Sequence, residues 1–233
     1  MKIDHIGHSG FLVETASALL LFDYHRGDLS IIDRAPADKP LFVFVSHAHG
    51  DHFNPDISAL SKGARKVKYI LSFDIKGKPA VPRNADALYA YADKEYPVPG
   101  LGSVVTFAST DEGVAFLVRT PDATVFHAGD LNFWDWEGED DAWLLEQETV
   151  FRRETAKLAG IEIDAAFVVL DDRLEGNFAE GMLIFLDTCR ASHVFPMHFW
   201  KDKTVIERLL QMPPARKSDA VIHDTVNEKH WEI

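Results

Sequence analysis

Four potential metal ligands lie within residues 47–52, whose sequence is HAHGDH. Imidazole nitrogens and carboxylate oxygens are ligands that zinc and other transition metals take in proteins. Side chains two positions apart point the same way in an extended chain, so we expect His47 and His49 to share one cation. After the turn, Asp51 and His52 can reach a second cation beside the first. Paired metals about 3.5–4 Å apart clamp the attacking and the leaving oxygen in hydrolytic reactions.

A buried strand precedes these ligands and would hold the first of them in place. Residues 41–45 read LFVFV between Pro40 and Ser46, and such a short apolar run predicts a strand covered on both faces. The junction of a rigid strand and a loop is a favourable place for a precise site. A solvated, histidine-rich turn is the alternative, but it has no reason to follow directly on a buried strand.

This H-x-H-x-D-H spacing resembles the signature of the metallo-β-lactamase superfamily, and two later segments resemble other motifs of that family. Residues 124–130, TVFHAGD, resemble a strand that ends in Gly-Asp. The resemblance makes Asp130 the carboxylate that bridges the metals. Residues 193–199, HVFPMHF, resemble the late strand whose last histidine, here His198, completes the second metal site.

The beginning of the chain resembles one branch of the superfamily. Residues 6–11, IGHSGF, and residues 20–23, LLFD, are similar to the opening of small metal-dependent hydrolases related to the L-ascorbate-6-phosphate lactonases. In this branch a histidine stands between Gly and Ser, and the resemblance places His8 near the pocket. Tyr24 replaces the proline that often follows the hairpin aspartate, so the substrate of the branch is not carried over.

One family histidine, that of the third motif, is missing from its expected place. Residues 104–113 read VVTFASTDEG, and Ser109 or Thr110 falls where the ligand is expected. By resemblance, the site of His47 and His49 then lacks one ligand. Three outcomes are open: a weakened first site, a single-metal enzyme, or a substitute ligand. The resemblance leaves the second site complete, with Asp51, His52, Asp130 and His198.

Three further residues are predicted to lie around the site. His127 is the substitute ligand nearest in sequence, but its odd spacing from Asp130 turns it to the opposite face of a straight strand. We therefore expect it to be buried or to hydrogen-bond a ligand. Trp134 follows the Gly-Asp strand, where it can wall a substrate pocket or pack an active-site loop. Arg173 follows a buried strand and either orients a carboxylate or phosphate of the substrate or pairs with an aspartate on the surface.

The chemistry that this pattern predicts is metal-assisted hydrolysis of a small ester, lactone or phosphoester. A bound cation lowers the pKa of its water to about 7, which supplies hydroxide at neutral pH. Asp51 is the catalytic candidate, because a carboxylate beside the metal can orient that hydroxide and carry its proton away. Zinc, one or two ions per chain, suits the imidazole-rich site, with Mn²⁺ or Fe²⁺ as alternatives. The alternative function is a non-catalytic or redox metal-binding protein on the same fold, owing to the missing histidine.

Charge and composition limit the classes of partner that we expect for this protein. The formal net charge of −13 argues against a nucleic-acid surface, where a basic stripe is expected. A small anionic substrate remains compatible, because bound metals are the largest local charges in such a site. The single cysteine, Cys189, cannot form an internal disulfide, which indicates a reducing compartment. The sequence carries no signal-like or span-length apolar segment, so we expect a cytoplasmic protein without a membrane contact. No pattern indicates an oligomeric state.

The elements that must position the site alternate along the chain, which predicts one α/β domain over residues 1–233. Strand meanders followed by βα units indicate two packed sheets, and the family resemblance implies a four-layer αββα sandwich of two mixed β-sheets flanked by helices. The Pro- and Gly-rich region 76–102 is expected to form loops and one short edge strand. Strands are expected near residues 1–6, 11–15, 18–23, 41–46, 67–72, 103–108, 114–119, 124–127, 165–170, 193–196 and 220–223, and helices after Pro55 and near 141–159, 178–188 and 203–211.

Overall fold

The computed structural model describes residues 1–78 and 85–233 and folds them around two mixed β-sheets of seven strands each. Numbered along the chain, the strands of the first sheet follow the order 14-1-2-3-4-5-6, and those of the second follow 13-12-11-10-9-8-7. The strands are β1 (Lys2–Gly7), β2 (Gly10–Glu14), β3 (Leu19–Phe22), β4 (Leu41–Val45), β5 (Val67–Ser72), β6 (Asp86–Ala90), β7 (Glu95–Val98), β8 (Gly102–Ala108), β9 (Val114–Arg119), β10 (Thr124–His127), β11 (Glu162–Val169), β12 (Arg190–Met197), β13 (Val221–Ile222) and β14 (His230–Glu232).

Helices flank the two sheets. Ile32, Ile57 and Ile75, all from 3₁₀-helices, pack against the outer face of the first sheet. No helix in the described part of the chain is long and apolar enough to cross a membrane. The α-helices are α1 (Asp141–Ala156), α2 (Glu180–Thr188), α3 (Val205–Gln211) and α4 (Pro213–Lys217), and the 3₁₀-helices are Leu29–Arg34, Pro55–Lys62, Phe73–Ile75 and Asp172–Asn177.

Aromatic side chains fill the space between the sheets. The rings of Phe22 and Phe44 stack with their centroids 4.7 Å apart, and Phe11 meets Phe167 of the opposite sheet at 4.3 Å. All four rings are fully buried. Burial of a phenylalanine side chain stabilises a fold by about 1.5–3 kcal/mol, so this layer fixes how the two sheets face each other.

The parallel strands of both sheets end at the site. Strands β3 and β4 run parallel in the first sheet, and β10, β11 and β12 run parallel in the second. Polar side chains that follow the carboxyl ends of parallel strands meet at one edge, which is where open α/β sheets bind ligands. The residues that follow these ends are Asp23 after β3, Ser46 and His47 after β4, Asp130 after β10, Asp171 after β11 and His198 after β12.

The predicted sandwich of two mixed sheets flanked by helices is confirmed, but the strands predicted at the sheet edges were wrong in number. The region 76–102 contains two strands, β6 and β7, instead of one short edge strand, and its residues 79–84 lie outside the described residues. Both strands are at sheet edges, which explains how β7 accommodates Pro97. The helix predicted after Pro55 is present as the 3₁₀-helix Pro55–Lys62. Strand β14 was missed, because its three residues are too short to show an alternating pattern.

Candidate metal centre

The first group of candidate ligands comprises His47, His49, Asp111 and Asp130, and each contributes an atom within 4.8 Å of the others. His47 Nε2 lies 3.0 Å from His49 Nδ1 and 3.4 Å from the Oδ2 atom of Asp130. Asp111 Oδ2 completes the group at 3.8 Å from His49 Nδ1. His47 and Asp130 are buried, whereas His49 and Asp111 are open to solvent. We call this group cluster 1.

The second group comprises His8, Asp51, His52 and His198, whose ligand atoms also lie within 4.8 Å of one another. Asp51 Oδ2 is 3.4 Å from His8 Nε2 and 3.9 Å from His198 Nε2. His52 and His198 are buried, and Asp51 is partly exposed. We call this group cluster 2.

Asp130 lies between the two clusters and faces both. Its Oδ1 atom is 3.0 Å from His52 Nε2 and 3.3 Å from His198 Nε2, both in cluster 2. Its Oδ2 atom points to His47 in cluster 1. One carboxylate with an oxygen towards each group has the geometry of a bridging ligand.

Unpartnered atoms show that the residues fit metal ions. The Nε2 atoms of His8, His52 and His198 and the Oδ1 atom of Asp130 are buried without a hydrogen-bond partner among the described residues. His52 Nε2 is close to Asp130 Oδ1, but the angles between them do not make a hydrogen bond. An unsatisfied buried polar atom costs about 1–3 kcal/mol, so several at one point call for a ligand. Imidazole nitrogens and carboxylate oxygens are donors that a divalent cation accepts.

Two buried aspartates orient the histidines of cluster 2. Asp23 Oδ2 accepts a hydrogen bond from His52 Nδ1 at 2.8 Å, and Asp171 Oδ2 accepts one from His198 Nδ1 at 2.9 Å. An imidazole that donates from Nδ1 keeps the lone pair of Nε2 free for a metal. Both carboxylates therefore select the histidine tautomer whose Nε2 lone pair is available to a metal, and both have a side-chain exposure of 1% or less.

The carboxylate of Asp23 also fixes the end of β4. It accepts hydrogen bonds from the backbone N–H of Ser46 at 2.7 Å and from the Ser46 hydroxyl at 2.6 Å. Asp23 itself has a φ of 40°, in the left-handed region that aspartate and asparagine tolerate better than most residues. One side chain thus ties β3, β4 and His52 into a single arrangement.

Two glycines let the ligand loops approach β4. A Cβ atom on Gly113, whose φ is +70°, would lie 2.0 Å from the Ser46 carbonyl oxygen. A Cβ atom on Gly129, at φ +52°, would lie 2.6 Å from the Ser46 Cβ. Any larger residue at these positions would push the Asp111 and Asp130 loops away from the site.

The pKa values reflect the dense packing of charge around Asp130. Burial alone would lower the pKa of His198, but Asp130 and then Asp171 raise it to about 9. His52 behaves in the same way and has its pKa raised well above 6.5. Burial and the nearby Asp130 carboxylate raise the pKa of Asp111. Cluster 1 thus brings two carboxylates together, and a divalent cation between them would remove their repulsion.

The comparison with known proteins identifies the family. Residues 2–134 match a family model described as a beta-lactamase superfamily domain, which is more than half of the 233 residues. The chain belongs to the metallo-β-lactamase superfamily.

Several curated relatives in this superfamily are named as metal-dependent hydrolases. One from Pyrobaculum aerophilum is 30% identical over 213 residues, which cover 85% of this chain and 84% of the relative. One from Pyrobaculum calidifontis is 33% identical over 142 residues, which cover 56% of this chain and 61% of the relative. The match to the latter therefore spans less than two thirds of its length.

Solved structures show the same fold at low sequence identity. A metallo hydrolase from the hyperthermophilic archaeon Ignicoccus hospitalis has a TM-score of 0.65 at 17% identity, covering 100% of this chain and 98% of that chain. A diiron β-hydroxylase from Streptomyces venezuelae has a TM-score of 0.61 at 11% identity, covering 95% of this chain and 52% of that chain. At these identities the likeness concerns the superfamily fold alone.

A cleft of about 300 Å³ opens onto both clusters. Trp134 packs in its wall and donates a hydrogen bond from Nε1 to the Asp130 carbonyl oxygen at 3.1 Å. Arg173 also lines the cleft, and its Nε and Nη2 atoms bind both carboxylate oxygens of Asp171. The complete lining is His49, Asp51, Thr110, Asp111, Asp130, Trp134, Trp136, Trp143, Arg173 and His198. We call this the tryptophan cleft.

The third-motif position is occupied by a carboxylate. The sequence placed the missing ligand at Ser109 or Thr110, whereas the structure brings Asp111 to cluster 1. Ser109 Oγ accepts a hydrogen bond from the Asp111 N–H at 3.1 Å, and Thr110 Oγ1 donates one to the Asn132 carbonyl oxygen at 2.6 Å. Both therefore brace the loop that presents Asp111. Of the three open outcomes, the geometry favours a substitute ligand.

His127 is not the substitute ligand. Its Nε2 atom bonds to the Ser9 carbonyl oxygen at 2.9 Å, and its Nδ1 atom accepts from the Gly129 N–H at 3.1 Å. Its ring stacks on Phe22 with centroids 4.9 Å apart, and the residue is fully buried. The odd spacing from Asp130 had indicated such a turn away from the ligands.

Sequence reasoning missed three carboxylates of the centre. Asp111 was not predicted, because the third motif of the family carries a histidine at this place. Asp23 was noted only as the end of the segment 20–23 and Asp171 was not singled out, although both lie within two residues of the end of a buried strand at the site. The position of an acidic residue at the carboxyl end of such a strand was the signal that could have found the last two.

Proposed function

We propose that the chain is a metal-dependent hydrolase that acts on a small ester, lactone or phosphoester. The observation that carries the proposal is the convergence of two ligand clusters on Asp130, with unpartnered buried Nε2 atoms, at the bottom of an open cleft. Two relatives are named as metal-dependent hydrolases, which supports the same activity.

Cluster 1 would hold one cation and cluster 2 another, with Asp130 shared between them. When bound, divalent cations supply Lewis acidity and lower the pKa of water, which is the chemistry that hydrolysis needs. Zinc is the first choice, because cluster 2 offers three imidazoles and one carboxylate. Cluster 1 offers two of each, and this harder donor set also suits manganese or iron.

Asp51 is the residue that we assign to proton handling. The approach of His8 Nε2 to its Oδ2 atom, at 3.4 Å, holds the pKa of the Asp51 carboxyl well below the usual range, although partial burial opposes this. The side chain is therefore ionised at neutral pH. Because Asp51 also lines the tryptophan cleft, its carboxylate can accept a hydrogen bond from the attacking water and hold the transferred proton.

The walls of the cleft would orient the substrate. Trp134 and Trp136 stack with their ring centroids 6.0 Å apart and give the cleft an apolar side that excludes water. The guanidinium of Arg173 is fixed by Asp171 and lies 5.5 Å from the Trp136 ring. An anionic group of the substrate would meet this fixed positive charge beside the metals.

A redox metal-binding protein is the second candidate, and the carboxylates of cluster 1 favour it. Two aspartates and two histidines form a donor set that accepts iron. A diiron β-hydroxylase is among the proteins of the same fold. Iron as the only metal of the purified chain, together with oxygen consumption, would support this function over hydrolysis.

The test begins with protein purified without added metal. Lactones, aryl esters and phosphodiesters are screened with zinc and manganese supplied in turn. Asp122→Asn is the matched control for substitutions in the site, because Asp122 is exposed and accepts hydrogen bonds from Ala16 and Ser17 far from the clusters. We expect turnover of at least one class. A fully metallated wild type that turns over none of them would contradict the proposal.

A further inference from the structure

A second cleft, of about 640 Å³, adjoins the metal centre. It shares Asp51 and Arg173 with the tryptophan cleft, so the two clefts meet at cluster 2. His8 of cluster 2 also lines it. We call it the basic cleft, after His8, His25, Arg26, Arg173, Lys203 and Lys229 in its lining.

The lining of this cleft is positive in a protein whose net charge is −13. Arg173 is paired with Asp171, but Arg26, Lys203 and Lys229 have no carboxylate within ion-pair distance among the described residues. Asp51 is the only carboxylate among the lining residues, and it belongs to cluster 2. Three unneutralised cations therefore face one cavity.

The positive groups of the cleft are close enough to repel one another. Burial lowers the pKa of Lys229, and the positive charge of Lys203 lowers it further, while Asp224 opposes the shift. Lys229 Nζ is fixed by a hydrogen bond to the Thr225 carbonyl oxygen at 2.6 Å. Like charges held together in this way are relieved by an anion between them.

Other groups of the cleft are arranged for a polar occupant. His25 Nδ1 is buried without a hydrogen-bond partner among the described residues. Trp200 is 43% exposed, and its ring lies 4.7 Å from that of His8 and 4.9 Å from the Arg173 guanidinium. The cleft thus combines an imidazole nitrogen without a hydrogen-bond partner, the flat ring of Trp200 and three cations without a carboxylate partner among the described residues.

We propose that the basic cleft binds a dianionic, phosphate-type group carried by the substrate, next to the bond that is cleaved at the metals. Several lysine and arginine groups around one cavity suit a compact dianion, whereas a carboxylate is matched by a single arginine. The inference rests on the proposed function, because it assigns this group to the substrate of that hydrolase. It narrows the substrate class to small molecules with a separate oxyanion.

The test measures binding of inorganic phosphate by calorimetry to the full chain with its metals. The variant is Arg26→Gln/Lys203→Gln, since both side chains are exposed and make no hydrogen bond in the described structure. The matched control, Lys66→Gln/Lys201→Gln, removes the same charge from exposed lysines that do not line the basic cleft. Thermal unfolding checks that both variants fold.

We expect the Arg26→Gln/Lys203→Gln variant to bind phosphate about 10-fold more weakly or worse, because two charge-assisted contacts are lost. The control should stay within about 2-fold of wild type, since screened charges outside the cleft contribute little. Unchanged phosphate affinity in the variant, or an equal loss in the control, would overturn the proposal. Acetate that binds as tightly as phosphate would overturn the dianion assignment. None of these binding measurements requires turnover. A failure of the hydrolase proposal would instead be seen in the substrate screen, so the two proposals can fail independently.

Discussion

Replacement of Asp23 by asparagine tests how the centre selects its histidine tautomer. Asn keeps the size of the side chain and tolerates the φ of 40° at this position. The amide oxygen of Asn can still accept a hydrogen bond from the Ser46 N–H, as Asp23 Oδ1 does at 2.7 Å in the wild type. The other carboxylate oxygen becomes an NH₂ group that faces the N–H of His52 Nδ1, which donates at 2.8 Å in the wild type. Two donors cannot share this contact.

His52 would escape the conflict by moving its proton to Nε2, the atom that must bind metal. Loss of such a hydrogen-bonding partner lowers metal affinity by about 10–100-fold, or about 1.4–2.8 kcal/mol. The mismatch also costs about 1–3 kcal/mol of stability, because Asp23 is fully buried.

Chelator competition on the Asp23→Asn protein gives the affinity, and urea unfolding of the metal-free protein gives the stability. Asp122→Asn is the control and should leave both unchanged, because its hydrogen bonds lie at the exposed β2–β3 turn. If Asp23→Asn binds metal as tightly as wild type, the assigned tautomer and the role of Asp23 are both wrong.

Three further predictions concern the clusters and the pH dependence of folding. Asp111→Ala should lower the metal affinity of cluster 1 by at least the 10–100-fold, or about 1.4–2.8 kcal/mol, that is typical of lost supporting contacts. A chelator titration should then release one equivalent of metal before the other, and coincident release of both would show that Asp111 is no ligand. Asp51→Asn keeps an oxygen ligand but loses the base, so it should retain part of its metal and lose about 10²–10⁴-fold in rate; full activity would remove Asp51 from proton transfer. His5 is 6% exposed, and burial and then Lys229 lower its pKa from 6.5 to about 4. Folding therefore favours the neutral form of His5. Its contribution to the free energy of unfolding is complete above pH 6.5 and is lost as the pH falls towards 4, by up to about 3 kcal/mol. Urea unfolding between pH 7 and pH 4 should show this extra loss in wild type and not in His5→Phe, and equal losses would refute it.

The sequence predicted most of the fold because its strands are marked by strong local patterns. The run at residues 41–45 is fully buried, as its composition indicated, and the HAHGDH stretch follows it directly. The sheet edges were harder to predict. Strands β6, β7 and β14 are short or half-exposed, so neither alternation nor an apolar run marks them.

The site was predictable where the ligand type and the spacing agree with the family, and not where a contact forms across the fold. His8 and Asp51 are 43 positions apart in the sequence, yet their side chains meet at 3.4 Å because β1 and the loop after β4 end at the same edge. The pairing of Asp171 with His198 likewise depends on the parallel alignment of β11 and β12. Such contacts follow from topology, which a linear pattern does not contain.

Metal content per chain tests the central claim most directly. Wild type and the His52→Ala/His198→Ala variant are purified without added metal and compared by elemental analysis, with circular dichroism to verify folding. We predict at least one divalent cation per wild-type chain and a clear loss in the variant, since it removes two of the four ligands of cluster 2. Undiminished metal in a folded variant would contradict the assignment of this centre.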